Sequence, residues 1–153
     1  MYRTILAGFV AGFAAVLVFH QGTAFLLHHV GNDIPAVVSV LGKTNPPFNL
    51  AATKPLGVPV VLSQAFWGGV WGMALAALLA TLRPPAILFS TIFGAVALTA
   101  VAVTLVPWLK GLPAWNGTIP WRGLLLNGAW GFGTALMLLW APGLRAPARP
   151  LTA

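Results

Sequence analysis

Few side chains in this sequence could carry chemistry: three histidines, His20, His28 and His29, one acidic residue, Asp33, and no cysteine. His20 is the most suggestive, because it lies inside an uncharged apolar run from Thr4 to Leu27. A neutral imidazole in such a run can bind haem iron or a chlorophyll-type magnesium, pass on a proton, or hydrogen-bond to neighbouring helices. On a regular helix His28 would lie about 80° around the axis from His20, and His29 nearly opposite it. No other apolar run carries a histidine, so a bis-histidine haem needs a second copy of the chain or a partner, with Met73 or Met137 as substitute ligands. His28 and His29, followed by Gly31, Asn32 and Asp33, read as a wetted helix end.

The remaining equipment for catalysis is missing. One acid beside a histidine pair is too little for an ordinary metal site, so no metal is expected. There are no paired carboxylates for acid–base work and no glycine-rich phosphate loop with its lysine. No acid falls inside an apolar run, which argues against a proton- or sodium-coupled transporter and against a stand-alone hydrolase. Ser63, Gln64 and Asn127 are the polar residues most deeply placed in the later runs. They are expected to bond to neighbouring backbone or to each other. A Ser63–His20 nucleophile pair is the weakest reading of these residues, and no catalytic residue is expected.

What must position these groups is a set of membrane helices. The 153 residues are 59% hydrophobic and 6% charged, with a mean hydropathy of +0.91. A soluble domain has roughly 25% charged residues. A bilayer-spanning helix needs about 20 apolar residues, and the sequence predicts four, over 4–28, 59–82, 86–106 and 121–140. The fold class expected is an all-α integral membrane protein, one domain of four transmembrane helices. Residues 29–58 and 107–120 form its longer loops and 141–153 a basic tail. The first run is too long for a signal peptide and reads as a retained helix. Residues 34–41 could add a short interfacial helix, and Arg83-Pro84-Pro85 makes a tight turn.

The formal charge of +7 does not point to nucleic acid, because the basic residues stand singly at the ends of apolar runs. There they anchor helices to headgroups and set orientation. Arg3, Arg83, Arg145 and Arg149 fall on one side, and Lys43, Lys54, Lys110 and Arg122 on the other. The first set is concentrated in two termini and a tight turn, so both termini are expected in the cytoplasm. The Ala, Gly, Pro and Arg usage fits a GC-rich bacterium, and hence a bacterial cytoplasmic membrane.

Small residues recur four apart: Gly8 with Gly12, Gly68 with Gly72, Ser90 with Gly94, and Ala129 with Gly133. Such spacing lets helix backbones approach in lipid, where no hydrophobic drive exists between helices. It serves packing within the bundle or docking onto another subunit. Gly69-Val70-Trp71-Gly72 reappears as Gly128-Ala129-Trp130-Gly131, and Ala11-Gly12 is echoed by Phe93-Gly94. The chain could therefore be two helical hairpins in parallel repeat. Among seven tryptophans, Trp108, Trp115, Trp121 and Trp140 fall at expected interfaces. Trp67, Trp71 and Trp130 lie beside glycines, where they fill notches on neighbours or line a site for a flat ligand such as a quinone or pigment.

The functional expectation is an accessory or assembly subunit that docks laterally onto a larger integral membrane complex, of the respiratory or photosynthetic kind, without catalysis of its own. Gly8, Gly12, Gly68, Gly72, Trp71 and Trp130 would face the packing or partner surfaces, and lipid is the other partner. The alternatives are a homo-oligomeric, small-solute or ligand-binding membrane protein with His20, Gln64 and Asn127 on a shared polar path, or a haem- or pigment-binding subunit that uses His20.

Overall fold

Proline, glycine and long uncharged runs divide this chain, and each boundary has a local cause. In the computed structural model the described residues are 2–54 and 56–140. The expected cytoplasmic tail 141–153, with Arg145 and Arg149, lies outside them. The first helix, α1, is continuous, running as Tyr2–Ala15, then a π-helical turn Val16–His20, then Gln21–His29. A short helix α2, Pro35–Leu41, follows; Pro35 opens it and Gly42, at φ 70°, closes it. Helix α3 spans Val60–Leu82 with Pro59 as its N-cap rather than inside its first turn. It stops at Arg83, which takes the left-handed conformation at φ 51°. A residue before proline is disfavoured in the right-handed helical region, so Arg83, ahead of Pro84, cannot prolong the helix.

Helix α4 begins at Ala86 and runs as Ala86–Phe93, a second π turn Gly94–Leu98, and Thr99–Val103. The sequence predicts a helix to residue 106, but the break comes earlier. Pro107 has no N–H, and its ring would clash with the carbonyl of Val103. Thr104 turns there, and a short helix α5, Leu105–Leu109, continues past it. The last helix, α6, is Trp121–Leu139.

Three helical stretches are long and apolar enough to cross a membrane: Tyr2–Asp33, Val60–Leu82 and Ala86–Leu109. Helix α6 is not among them. Its 19 residues include Arg122, Asn127 and four glycines, which dilute its apolar character. It is nonetheless packed against protein, with Gly128, Trp130, Gly131, Gly133, Thr134, Ala135 and Leu138 all buried.

The helices pack as two hairpins. Helix α1 lies along α3, α4 lies along α6, and the hairpins join mainly through α1 against α6. Helices α3 and α4 meet sparingly, between Val60–Leu82 and Ala86–Phe93. Leu75, Leu79 and Leu138 share in the core cluster, and Phe89 and Phe93 pack against it. Because lipid is as apolar as leucine, close fit rather than burial must hold these contacts. The fit is extreme at the glycines. A Cβ on Gly72 would meet the backbone of Gly8 and sit 2.9 Å from Gly12 Cα. A Cβ on Gly131 would meet Ser90 and sit 3.3 Å from Gly94 Cα.

The two hairpins make these contacts in corresponding positions. Gly12 faces Gly68 and Gly72, and Gly94 faces Asn127 and Gly131. Gly8 meets Gly72, and Ser90 meets Gly131. The Ala129–Gly133 spacing plays no such part: Gly133 instead receives the ring of Phe19 from α1. A π turn interrupts the first helix of each hairpin, starting at Val16 in α1 and at Gly94 itself in α4, and it shifts the inward face. The buried positions of α1 step from Gly8 to Gly12 to Val16 and then by five to Gln21; those of α4 step from Ser90 to Gly94 and then by five to Thr99.

Candidate functional site

Each π turn delivers a polar side chain to the interior. In α4 it turns Thr99 toward α6, where Asn127 Nδ2 donates to Thr99 Oγ1 at 2.9 Å. In α1 it turns Gln21 inward, leaving that residue only 4% exposed. Gln21 Nε2 donates to Gln64 Oε1 on α3 at 2.9 Å, and Gln21 Oε1 accepts from the Phe48 backbone N–H at 2.7 Å. Its amide also lies 3.5 Å from His20 Nδ1. Gln21 thus ties α1 to α3 and to the loop that precedes α3.

That loop is pinned at a second place. His28 Nδ1–H donates to Thr44 O at 2.8 Å, Asn32 Nδ2 donates to the same carbonyl at 2.9 Å, and Thr44 N–H donates to Asn32 Oδ1 at 2.8 Å. A carbonyl only accepts, so His28 carries its proton on Nδ1 and that nitrogen is not available to a metal. His28 is therefore a clip for the loop rather than a wetted end, whereas His29 is exposed and lies against Phe25 with ring centroids 4.3 Å apart. A third tie comes from α6, where Arg122 Nη1 donates to Lys43 O at 2.6 Å.

Under this pinned loop lies a cavity of about 230 Å³. Helix α1 supplies His20, Gln21 and Ala24, α3 supplies Val60 and Gln64, and α6 supplies Arg122 and Leu126. The loop covers it with Thr44, Asn45, Pro46, Pro47 and Asn49. Apart from Gln21 the polar groups are not exhausted by internal bonds: His20 Nε2 and the Gln64 amide nitrogen have no protein partner among the described residues. The site can hydrogen-bond a polar guest from several sides. Nothing in it resembles a nucleophile with its base.

Of the residues singled out from sequence, His20 and Gln64 line this cavity and Asn127 does not, being engaged with Thr99. Ser63, Met73 and Met137 do not line it either. The described residues hold no group of three or more His, Cys, Asp or Glu side chains that could bind a metal ion. Gly8, Gly12, Gly68 and Gly72 lie at the α1–α3 contact. Trp130 is 1% exposed, and its Nε1–H donates to Gly12 O at 2.9 Å, so it bridges the hairpins. Trp71 packs edge-on to Phe93 at 6.0 Å across the α3–α4 seam. Trp67 is 57% exposed and touches Phe66, so it fills no notch within the chain.

Sequence reading missed Gln21 and treated Arg122 only as an orientation charge. A uniform 3.6-residue period places Gln21 off the inward face, and only the π turn brings it in. Arg122 could have been noticed as a basic residue inside the first turn of a helix that also carries Asn127. Changing Gln21 to leucine should remove the bonds to Gln64 and Phe48 and leave the Phe48 N–H without an acceptor, at a cost of about 2 kcal/mol. Thermal unfolding in detergent checks the loss, and hydrogen exchange at the Phe48 amide should accelerate by about tenfold or more.

No protein-family model, curated protein or solved structure matches the chain.

Proposed function

We propose that the chain is a four-span integral membrane protein built of two repeated hairpins, and that it binds a small polar ligand without transforming it. The observation that carries this reading is the polar cavity at one end of an otherwise apolar bundle, roofed by a loop held by Gln21, His28, Asn32 and Arg122. Polar groups near a bilayer are costly and mark functional paths. The absence of paired acids or a nucleophile with its base is consistent with binding alone.

The fourth span is supported by length and placement. At 1.5 Å per residue α6 is about 28 Å long, close to the bilayer core. It lies between α1 and α4, and Asn127 is satisfied by Thr99. The repeat is supported by the matching glycine contacts and by a π turn in the first helix of each hairpin, starting at Val16 in α1 and at Gly94 itself in α4. In this reading the loop end faces away from the cytoplasm of a bacterial cell and both termini lie inside, following the density of basic residues.

A second reading, the accessory subunit docking laterally onto a larger complex, is favoured by the large apolar side chains that α3 and α4 leave exposed. Leu62, Phe66 and Trp67 of α3 and Ile92 and Val96 of α4 are among them. Mild-detergent extraction from native membrane, with native mass spectrometry and an absorption spectrum of the same species, separates the two. A small colourless particle that carries a low-mass polar adduct is the expected result. Migration at fixed stoichiometry within a large assembly would transfer the weight to the second reading, and a Soret band would overturn both in favour of haem on His20.

A further inference from the structure

We propose that Arg122 makes the cavity an anion site, one that seats a small oxyanion, a phosphate or carboxylate group, against its guanidinium. The inference rests on the binding reading above and names the class of ligand. A guanidinium carries five N–H donors. Arg122 has one protein bond among the described residues, to Lys43 O, which leaves most of its fork without a protein acceptor. It is half-buried, and no carboxylate lines the cavity; Asp33, the only acidic residue in the chain, is not part of the wall.

A cation so placed is normally matched by a counter-ion, and planar two-oxygen anions fit the guanidinium fork best. The surroundings add to the same sign. Arg122 is the second residue of α6, where the helix dipole is positive. The walls also offer neutral donors that suit oxygen acceptors: the Gln64 amide, His20, and the side-chain amides of Asn45 and Asn49. Drug-sized ligands occupy roughly 300–1,000 Å³, and a cavity of about 230 Å³ is smaller than that. It suits a single phosphate or a short carboxylic acid. Two sources could supply that chemistry, a phospholipid headgroup entering from the bilayer or an anion dissolved in the water outside.

The chain has no cysteine, so Pro46→Cys places a single thiol on the cavity wall without removing a donor. The full-length variant, purified in a phosphate-free maltoside detergent, is labelled with a neutral water-soluble maleimide. Inorganic phosphate or succinate at constant ionic strength is added in one arm, and short-chain phosphatidic acid in the other. Several-fold slower labelling in the first arm supports the site with a dissolved anion as its ligand; slowing in the second arm alone supports it with a headgroup phosphate. Arg122→Gln should abolish the protection, Arg122→Lys should keep part of it, and Lys110→Gln should leave it intact. Circular dichroism and a single gel-filtration peak establish that each variant is folded. Labelling that no anion slows, or protection that persists in folded Arg122→Gln, overturns the anion site while leaving an open cavity. A thiol that never reacts would mean a closed cavity and would overturn the binding reading as well.

Discussion

Replacing Gly72 with valine should cost about 3 kcal/mol and separate α1 from α3, because a side chain there has nowhere to go. Its Cβ would meet the Gly8 backbone and lie 2.9 Å from Gly12 Cα, and backbone cannot swing aside as a side-chain tip can. Overpacking of this kind typically costs 1–3 kcal/mol and sometimes more. In lipid there is no hydrophobic gain to offset it. Gly131→Val should be comparably damaging through Ser90 and Gly94, as the corresponding contact of the other hairpin. Gly22 is the control: a Cβ there meets nothing within 4 Å, so Gly22→Ala should be neutral or slightly stabilising. Denaturant unfolding of the detergent-solubilised chain gives all three values. Equal losses at Gly22 and Gly72 would contradict the packing described.

Trp130→Ala should cost about 3–5 kcal/mol, the range for emptying a large buried aromatic site. Trp130 is one of the largest fully buried side chains and the hydrogen-bonded link from α6 to Gly12 of α1. Its loss removes the ring contacts and the Nε1–H bond to Gly12 O together. Trp130→Phe separates the two contributions, since it keeps most of the ring and loses the bond, and should cost about 1–2 kcal/mol. Because Trp130 joins the hairpins, its removal should loosen the α1–α6 seam while α1–α3 stays formed. Hydrogen exchange across α6 would register that loosening. An unfolding midpoint unchanged in Trp130→Ala would mean that the hairpins are held together elsewhere.

Much of this architecture could be read from residue types. Uncharged runs of bilayer length define the helices, and the proline clusters at 46–47 and 84–85 mark the breaks between them. Gly8, Gly12, Gly68 and Gly72 could be read as contact positions because lipid leaves close approach as the main source of helix adhesion. The cavity was harder to see, for a physical reason. A π turn adds one residue without changing composition, so no period in the sequence signals it. Every position after Val16 in α1 and after Gly94 in α4 is rotated relative to a regular helix. That rotation buries Gln21 and Thr99 and uncouples Asn127 from His20 and Gln64. Within the helical stretch Ala86–Leu109 the turn at Thr104 is likewise absent from any sequence period; it follows the Val103 carbonyl that the Pro107 ring would strike. The loop clip was also hidden, because nothing in the order of residues places Thr44 against both His28 and Asn32.

The proposed four-span bundle opens its polar cavity to water on one face of the membrane only. Single cysteines at Asn45, Leu82, Asn116 and Trp140, each placed in the full chain in sealed vesicles, test it directly with a membrane-impermeant maleimide applied from outside. Cysteines at 45 and 116 should label together, those at 82 and 140 should label only after permeabilisation or in vesicles of the opposite orientation, and Ala65→Cys, buried in the bundle, should stay silent throughout. Labelling of 45 and 82 from the same side, or of 116 and 140 from the same side, would mean that α3 or α6 does not cross the bilayer, and would contradict the account.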